Sequence, residues 1–266
     1  MLLIDVDSQA NSSKVLLPRY QALTKDQTVY VTVLERRPPP IHPTHIPDLF
    51  VVPSHILLSN TDVELTTAID HREERLKREL DKLRNEYDFI FIDCPPTLSW
   101  LTINALTAAD KALVVVSPGY FELDSIVQIS KTIGEVREFF NPTLELAGFL
   151  FTMSDPTVNA RTSLQVLRQT YPESVLRTVI PRNTDLRDAH FSKTEHLWLQ
   201  PTLRSGAGIR EVDRRAVRPM TKKLDTTTIA DETGRLGLLP PPWNPRPADG
   251  GAGSAVTPLR ESTSRE

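Results

Sequence analysis

The sequence predicts an α/β protein built on a mainly parallel, doubly wound sheet. Short apolar runs alternate with longer segments of helical periodicity, and this alternation implies right-handed crossovers between parallel strands. The runs are nearly continuous in apolar residues, which is typical of strands that are covered on both faces. The strand candidates are Leu2–Ile4, Leu49–Val52, Phe89–Ile92, Ala112–Val116, Leu146–Phe151 and Val175–Ile180.

Helices are predicted between these runs from the spacing of apolar residues. In the longest candidate, Asp62–Glu86, apolar side chains recur mostly every three or four residues and charges occupy the other positions. Thr28–Val33 stays open, because its β-branched residues favour a strand whereas the resemblance described below favours a helix. Arg36–Pro47 contains five prolines and is predicted to be a loop. The other helix candidates are Leu98–Ala109, Ile126–Phe140 and Ser163–Gln169.

Composition restricts the class of protein. The 266 residues are 39% hydrophobic and 24% charged, with a net charge of −3, as in ordinary globular proteins. Cys94 is the single cysteine, which excludes a disulfide framework and a multi-cysteine zinc or iron–sulfur site. No apolar run is long enough to cross a membrane, and Asp5 and Asp7 follow the apolar start too closely for a secretory signal. We therefore expect a cytoplasmic protein.

Composition also divides the chain near residue 216. The last 50 residues hold seven of the 22 prolines and five of the ten glycines. Such a segment cannot bury enough apolar surface to offset the entropy that ordering would cost. We expect residues 1–216 to form the folded domain and residues 217–266 to be a disordered tail. A polyproline segment that binds a partner is the alternative.

Three aspartates follow strand candidates. Asp5 and Asp7 come after the first strand and Asp93 after the third. Ligands of open α/β sheets bind beyond the carboxyl ends of the strands, so these side chains are candidates for a site. An apolar strand that ends in aspartate resembles a Walker B element, whose carboxylate holds Mg²⁺ through water. The alternative is that each aspartate only caps a helix or turn.

The segments around these aspartates resemble the ParA/Soj family of partition ATPases. LLIDVDSQAN at residues 2–11 resembles the switch I segment of that family. YDFIFIDCPPTL at 87–98, continued by LTINAL at 101–106, is similar to Walker B and switch II, and TVIPRN at 178–183 to the adenine loop. The matches keep the family's order from residue 1 to about 216. Two shorter matches are VVPS at 51–54 and RLKR at 75–78.

The resemblance implies an ATPase of the P-loop NTPase type, with ATP and Mg²⁺ as its ligands. By resemblance, Asp7 positions or polarises the attacking water, and Asp5 and Asp93 belong to the magnesium shell. Phosphoryl transfer depends on positioning and on charge neutralisation, for which carboxylates around a metal are suitable. The residues expected by resemblance to contact the nucleotide are Gln9, Pro181, Arg182 and Asn183.

The phosphate-binding motif of the family, K-G-G-x-G-K-[ST], does not occur in the 266 residues. None of the ten glycines is followed by a lysine. In the family this motif belongs to a first strand that neighbours the Walker B strand. We therefore expect a sheet without that strand, P-loop and first helix, with unpaired strand edges inside it. Two interpretations stay open: a start site placed too late on a complete gene, or a decayed or repurposed copy.

A basic region lies towards the end of the folded domain. Between Arg182 and Lys223 there are ten basic and five acidic residues, although the whole chain is acidic. The resemblance implies ATP-dependent homodimers that bind DNA non-specifically, are nucleoid-associated, and act with a ParB-like centromere-binding protein. The alternative is a solvated helix face. The residues expected to contact DNA phosphates are Arg187, Arg210, Arg214 and Arg215.

Two functions from different classes follow. The first is an ATPase of chromosome or plasmid partitioning. The second is a non-catalytic ParA-like module that binds DNA or a complete ParA. A membrane anchor is not expected, because the tail cannot form a basic amphipathic helix. His42 and His45 lack a third ligand nearby, and Cys94 is expected to be a buried small hydrophobe and not a nucleophile.

Overall fold

The computed structural model describes residues 1–119 and 121–182, which all lie within one compact unit. Strands and helices alternate along this part of the chain, as an α/β fold requires. The strands are β1 (Leu2–Asp5), β2 (His42–Pro43), β3 (Phe50–Val52), β4 (Ile90–Asp93), β5 (Lys111–Val116), β6 (Glu145–Ser154) and β7 (Val175–Pro181). The helices are α1 (Asn11–Leu16), α2 (Val29–Glu35), α3 (Thr61–Thr66), α4 (Arg75–Leu80), α5 (Trp100–Ala108), α6 (Phe121–Phe139) and α7 (Val158–Thr170).

The strands form two sheets. The first has the order β2-β3-β1-β4, with β1 parallel to both β3 and β4. The second has the order β5-β6-β7 and is entirely parallel. The predicted α/β class with parallel pairing is therefore confirmed, and all six strand candidates are strands.

Two local predictions about the first 50 residues are decided by the structure. Thr28–Val33, which was open between strand and helix, is mostly helical as part of α2, and Val29, Val31 and Val33 are buried there. The segment Arg36–Pro47 is not loop throughout, because β2 lies within it and pairs antiparallel with β3. This strand has only two residues and one of them is a proline, so the sequence contains no strand pattern at this position.

The prediction that Asp62–Glu86 forms a single helix is wrong, because the segment divides into two helices. It consists of α3 and α4 with a break between them, where His71 has a left-handed backbone (φ 37°). Nη1 of Arg72 donates to the carbonyl of Thr66 at 2.7 Å and so terminates α3. Ile69, which the periodicity placed on the buried face, is fully exposed. Side-chain contacts, which periodicity does not report, decide where this helix stops.

Helices cover both faces of the first sheet. On one face, Leu2 and Ile4 of β1 pack in an apolar core with residues of α2, α3, α4 and α5. On the other face, Val51 packs with Leu16 and Leu17 at the end of α1. Helix α5 also contacts the second sheet, where Leu106 packs with residues of β5, β6 and α6. Helix α5 therefore joins the two sheets.

The expectation of unpaired strand edges is confirmed within the described residues. Strand β4 is at the edge of the first sheet and pairs only with β1, and β5 is at the edge of the second sheet and pairs only with β6. Among the described strands, none pairs with the other side of β4 or of β5. The start of both strands lies at the same end of the molecule. Arg84, shortly before β4, donates to Asp110, directly before β5, at 2.8 Å.

None of the helices described by the structure is long and apolar enough to cross a bilayer. The boundary proposed at residue 216 and the tail at 217–266 lie outside the described residues.

Candidate functional site

Two of the three predicted carboxylates lie side by side at the carboxyl edge of the first sheet. Asp5 is the last residue of β1, Asp93 is the last of β4, and the two are paired in the parallel register. The backbone continues this pairing for one step, since the N–H of Val6 donates to the carbonyl of Asp93 at 2.9 Å. Parallel strands bring these residues together although 88 positions separate them in the sequence.

Asp5 is completely buried, and hydrogen bonds occupy both of its carboxylate oxygens. Its Oδ2 accepts from the backbone N–H of Ser13 at 2.9 Å and from the Ser13 hydroxyl at 2.6 Å. Its Oδ1 accepts from the N–H of Asp7 at 3.1 Å. Burial raises the pKa of Asp5, and the charge of Asp93 adds to this, while the bonds from Ser13 oppose it. Asp5 thus anchors the loop that follows β1.

Asp7 lies in that loop and is partly exposed. Its Oδ1 accepts from the N–H of Gln9 at 2.9 Å, and its carbonyl accepts from the hydroxyl of Ser54 at 2.5 Å. Ala10 takes a left-handed conformation (φ 54°) and donates to the same carbonyl at 2.8 Å. Within the described part of the chain Oδ2 of Asp7 accepts no hydrogen bond, so this oxygen is available to a ligand or a water.

Asp93 is half-buried, and one of its oxygens is held by a hydroxyl. Oδ2 accepts from the hydroxyl of Ser12 at 2.6 Å, whereas Oδ1 accepts no hydrogen bond from the described residues. Ser12 and Ser13 are consecutive, and they fix Asp93 and Asp5 respectively. Both serines open α1, so a single short helix holds the two carboxylates in place.

Sequence reasoning missed the serines around this site. The Ser13 hydroxyl donates to Asp5 and accepts from the N–H of Ser54 at 2.9 Å, so it connects β1 with the end of β3. Ser54 is the last residue of the VVPS segment, which resembles the ParA/Soj family, but the resemblance did not predict its hydrogen bonds to Ser13 and Asp7. The alternative was that each aspartate only caps a turn. It holds in part for Asp5 and Asp7, because each accepts a hydrogen bond from the backbone N–H two residues later.

A pocket of about 340 Å³ lies beside the loop after β1. Gln9 lines it and is exposed, and the ammonium of Lys14 donates to the Gln9 carbonyl at 2.6 Å. Lys14 also lies over the ring of Tyr20, 6.0 Å from its centre. The other residues that line this pocket are Ser8, Gln21, Leu23, His55 and Ile56.

Two of the three predicted base-binding residues, Pro181 and Arg182, lie at the end of β7 in the second sheet. Pro181 ends β7 and is paired with Ser154 of β6, and the N–H of Arg182 donates to the Ser154 carbonyl at 2.8 Å. The guanidinium of Arg182 lies 3.9 Å from the carboxylate of Asp155. Outside the described residues lie Asn183, Arg187, Arg210, Arg214 and Arg215.

Cys94, next to Asp93, is a partly buried free thiol. Burial raises the pKa of Cys94 to about 12, with a smaller contribution from the negative charge of Asp93. The two histidines that the sequence offered as metal ligands each bond a backbone carbonyl. His42 bonds the carbonyl of Gln27 at 2.9 Å, and His45 bonds that of Leu16 at 3.1 Å. The two imidazoles therefore bond different backbone carbonyls.

The donor atoms at the sheet edge are suited to magnesium. They are carboxylate and hydroxyl oxygens only, the ligands that this hard cation prefers, and an octahedral ion of this kind keeps several waters. Asp93 and Asp7 each retain one oxygen that accepts no hydrogen bond from the residues the structure describes, as a metal or a metal-bound water requires. Both oxygens of Asp5 accept hydrogen bonds from the protein, and Oδ1, which accepts a single one, keeps a lone pair that a metal or a water can use.

Comparisons with known proteins identify relatives of this chain. A family model described as an AAA domain matches residues 1–146. The chain is 38% identical over 190 residues to the chromosome partitioning protein ParA of Myxococcus xanthus, covering 70% of this chain and 66% of the relative. It is 36% identical over 194 residues to the sporulation initiation inhibitor protein Soj of Bacillus subtilis, covering 71% and 75%. The chain thus spans about two thirds to three quarters of the length of these relatives.

Solved structures give the same fold. Cobyrinic acid a,c-diamide synthase from Mycobacterium smegmatis, with bound ATP analog and magnesium, is 29% identical with a TM-score of 0.60, covering 72% of this chain and 82% of that one. A plasmid partition protein from Borrelia burgdorferi is 22% identical with a TM-score of 0.57, covering 72% and 80%, and shows the likeness of fold alone.

Proposed function

The chain belongs to the ParA/Soj family of partition proteins, and on this premise we propose that it provides the magnesium-binding and water-positioning part of an ATPase that partitions DNA. The observation that carries this proposal is the pairing of Asp5 and Asp93 at the ends of β1 and β4, with the N–H of Asp7 bonded to Asp5. Magnesium and an ATP analog are bound in the synthase to which the chain is similar.

Each carboxylate has a separate role in this proposal. Asp93 would hold a magnesium ion through Oδ1, the oxygen that accepts no hydrogen bond from the described residues, directly or through a water. Asp7 has a free Oδ2 and lies in a loop that Ser54 holds, so it orients the attacking water. Asp5 contributes its charge to the magnesium shell and also fixes the loop, because both of its oxygens accept hydrogen bonds from residues of that loop and of α1.

The nucleotide is held by further residues in this proposal. Gln9 lies in the loop after β1, and the base is bordered by Pro181, Arg182 and Asn183. Magnesium neutralises charge on the phosphates when it is bound. The 266 residues contain no K-G-G-x-G-K-[ST] motif, so hydrolysis needs a phosphate-binding loop in addition to them.

A second candidate function is DNA or ParA binding without hydrolysis. The missing phosphate-binding motif favours it, because loop amides and lysines act on the charge that develops in the transition state. In both candidates DNA contact is non-specific and uses Arg187, Arg210, Arg214 and Arg215, and a ParB-like protein is the partner. The two differ in whether DNA binding depends on ATP.

The test compares phosphate release by the 266-residue chain with that of a chimaera that carries the phosphate-binding segment of a ParA relative before Met1. With Mg²⁺, ATP and DNA present, we expect no measurable release from the chain alone and restored release from the chimaera. In the chimaera, Asp7→Ala should stop turnover and spare nucleotide binding, and Asp93→Ala should weaken magnesium-dependent binding.

Asp88→Ala is the matched control, because this carboxylate is exposed and precedes the start of β4, at the opposite end of the strand from Asp93. It should leave turnover within about twofold. Equal loss of binding in the Asp7 and Asp93 variants would contradict the division of roles. A folded chimaera that neither binds nor hydrolyses ATP, but binds DNA, would establish the second candidate.

A further inference from the structure

The pocket of about 340 Å³ beside the loop after β1 is lined by basic, amide and hydroxyl groups together with apolar side chains. None of the described residues that line it is a carboxylate, and Asp7 of the same loop is not among them. An anion in this pocket meets positive charge and hydrogen-bond donors, whereas a cation meets no opposite charge. We call this pocket, whose lining includes Lys14, Tyr20 and His55, the Lys14 pocket.

The charge of Lys14 is not compensated within the described part of the chain. No carboxylate there forms an ion pair with its ammonium, which donates instead to the carbonyl of Gln9. The other five lysines of the described residues all pair with carboxylates, at 2.7–3.6 Å: Lys25, Lys77, Lys82, Lys111 and Lys131. The positive charge on the wall of the pocket is therefore available to an anion.

The ammonium of Lys14 is held in position before any ligand binds. It donates to the Gln9 carbonyl at 2.6 Å and lies 6.0 Å from the centre of the Tyr20 ring. The hydroxyl of Tyr20 donates to the carbonyl of Ser54 at 3.3 Å, which fixes the ring in turn. An ammonium has three protons, so donors remain after the bond to Gln9. Because the lysine is already ordered, an anion that binds it loses less free energy to ordering.

His55 supplies a second donor to the pocket. Its Nδ1 accepts from the backbone N–H of Leu57 at 3.2 Å, so the proton of the neutral ring is on Nε2. No described residue forms a hydrogen bond with Nε2. The imidazole therefore offers a directed N–H group on the same pocket wall as a charged ammonium, and oxygens of a phosphate or carboxylate accept from both kinds of donor.

The rest of the lining suits an apolar body. The ring of Tyr20 and the side chains of Leu23 and Ile56 border the pocket, and Ile56 is 57% exposed. The volume lies in the range of small-molecule pockets, about 300–1,000 Å³, and so leaves room for more than a bare oxyanion. Burial of an apolar group against these side chains would add to the affinity.

We propose that the Lys14 pocket binds a small organic oxyanion whose phosphate or carboxylate group contacts Lys14 and His55. The apolar or aromatic body of this ligand lies against Tyr20, Leu23 and Ile56. Phosphate and carboxylate share the chemistry that the pocket recognises, which is a negative charge on oxygens that accept hydrogen bonds. The proposal involves neither magnesium nor DNA nor ATP hydrolysis and is independent of the proposed function.

The test titrates the 266-residue chain with phenyl phosphate and with benzoate, and ligand-observed NMR measures the dissociation constants. Benzyl alcohol, which has the ring without the charge, is the neutral control. We expect saturable binding of at least one of the two anions and none of benzyl alcohol. Binding of phenyl phosphate alone would identify a phosphate ligand, and binding of benzoate alone a carboxylate. Inorganic phosphate should bind more weakly than phenyl phosphate, because it lacks the apolar body.

Two substitutions remove one donor each. Lys14→Met keeps the apolar stem but loses the charge, and should lower the affinity about tenfold or more. His55→Asn keeps an acceptor for the N–H of Leu57 and removes the Nε2 donor, so it should lower the affinity about threefold. Lys14 is exposed, and we expect its variant to melt as the parent chain does.

Lys25→Met is the matched control. Lys25 also lies over a tyrosine ring, 5.1 Å from the centre of Tyr30, but it pairs with Glu35 and does not line the pocket. The same substitution there should change the affinity by less than about twofold. Failure of both anions to bind, equal binding of benzyl alcohol, or an equal loss in the Lys14 and Lys25 variants would overturn the proposal.

Discussion

The hydroxyl of Ser12 donates a 2.6 Å hydrogen bond to Oδ2 of Asp93, which lies 81 positions later in the chain. The next residue, Ser13, donates an equally short bond to Asp5 on the adjacent strand. The start of α1 is therefore tied to the ends of both β1 and β4. The start of α1 therefore helps to fix both the strand end that carries Asp93 and, through Asp5, the loop that carries Asp7.

The Ser13 hydroxyl is predicted to matter for stability. Ser13→Ala removes a donor from the buried carboxylate of Asp5 and an acceptor from the N–H of Ser54. We expect the free energy of unfolding to fall by about 1–3 kcal/mol, because both groups are buried. Urea denaturation monitored by circular dichroism measures this. Ser12→Ala, at the adjacent and more exposed position, should cost less, and an equal cost would contradict the argument.

Asn104 is predicted to hold α4 and α5 together. It is fully buried; its Oδ1 accepts from the N–H of Leu76 at 3.2 Å and its Nδ2 donates to the carbonyl of Arg72 at 2.8 Å. Asn104→Ala leaves these groups without a partner and should lower the free energy of unfolding by about 1–3 kcal/mol. Asn85→Ala, at an exposed position, should stay within about 0.5 kcal/mol. A neutral Asn104→Ala in urea denaturation would refute this role.

The thiol of Cys94 is predicted to be unreactive in the folded protein. Its pKa is raised to about 12, so at pH 8 the thiolate fraction is roughly a thousandfold below that of an unperturbed cysteine. Alkylation by iodoacetamide should therefore be slower by about three orders of magnitude in buffer than in guanidinium, and should accelerate as the pH rises towards 12. Rates within tenfold of each other would show that the thiol is accessible and ionised.

DNA binding, if present, is predicted to be independent of sequence and sensitive to salt. The excess of five positive charges between Arg182 and Lys223 neutralises phosphates, and each contact contributes about −0.9 to the slope of log K against log salt. Replacing Arg214 and Arg215 with Ala should weaken binding to every duplex and reduce the slope by roughly 1–2.

Gel-shift titrations on unrelated duplexes at several salt concentrations test this prediction. The control is the double change Arg161→Ala and Arg168→Ala, which removes the same charge from exposed positions of α7. It should leave the slope unchanged. An equal effect of both pairs would point to net charge alone, and a loss on one duplex only would contradict non-specific binding.

The sequence by itself determined the class of fold and the position of the carboxylates. Continuous apolar runs mark strands that are covered on both faces, and the residues that end β1 and β4 must meet because parallel strands align their carboxyl ends. Unpaired strand edges inside the sheet were also predictable, because the motif-bearing strand that neighbours the Walker B strand in the family does not occur in the 266 residues.

Only the tertiary structure decided which carboxylate oxygens stay free. Hydrogen bonds from Ser12, Ser13 and Ser54 join residues up to 81 positions apart, and no local pattern reports such contacts. The break between α3 and α4 has the same origin. Arg75 enters the core and donates to the carbonyl of Val33 at the end of α2, so packing against α2 prevails over a periodicity that favours one long helix. Local patterns select the elements, and burial of long-range polar contacts decides where they end and which side chains remain available for chemistry.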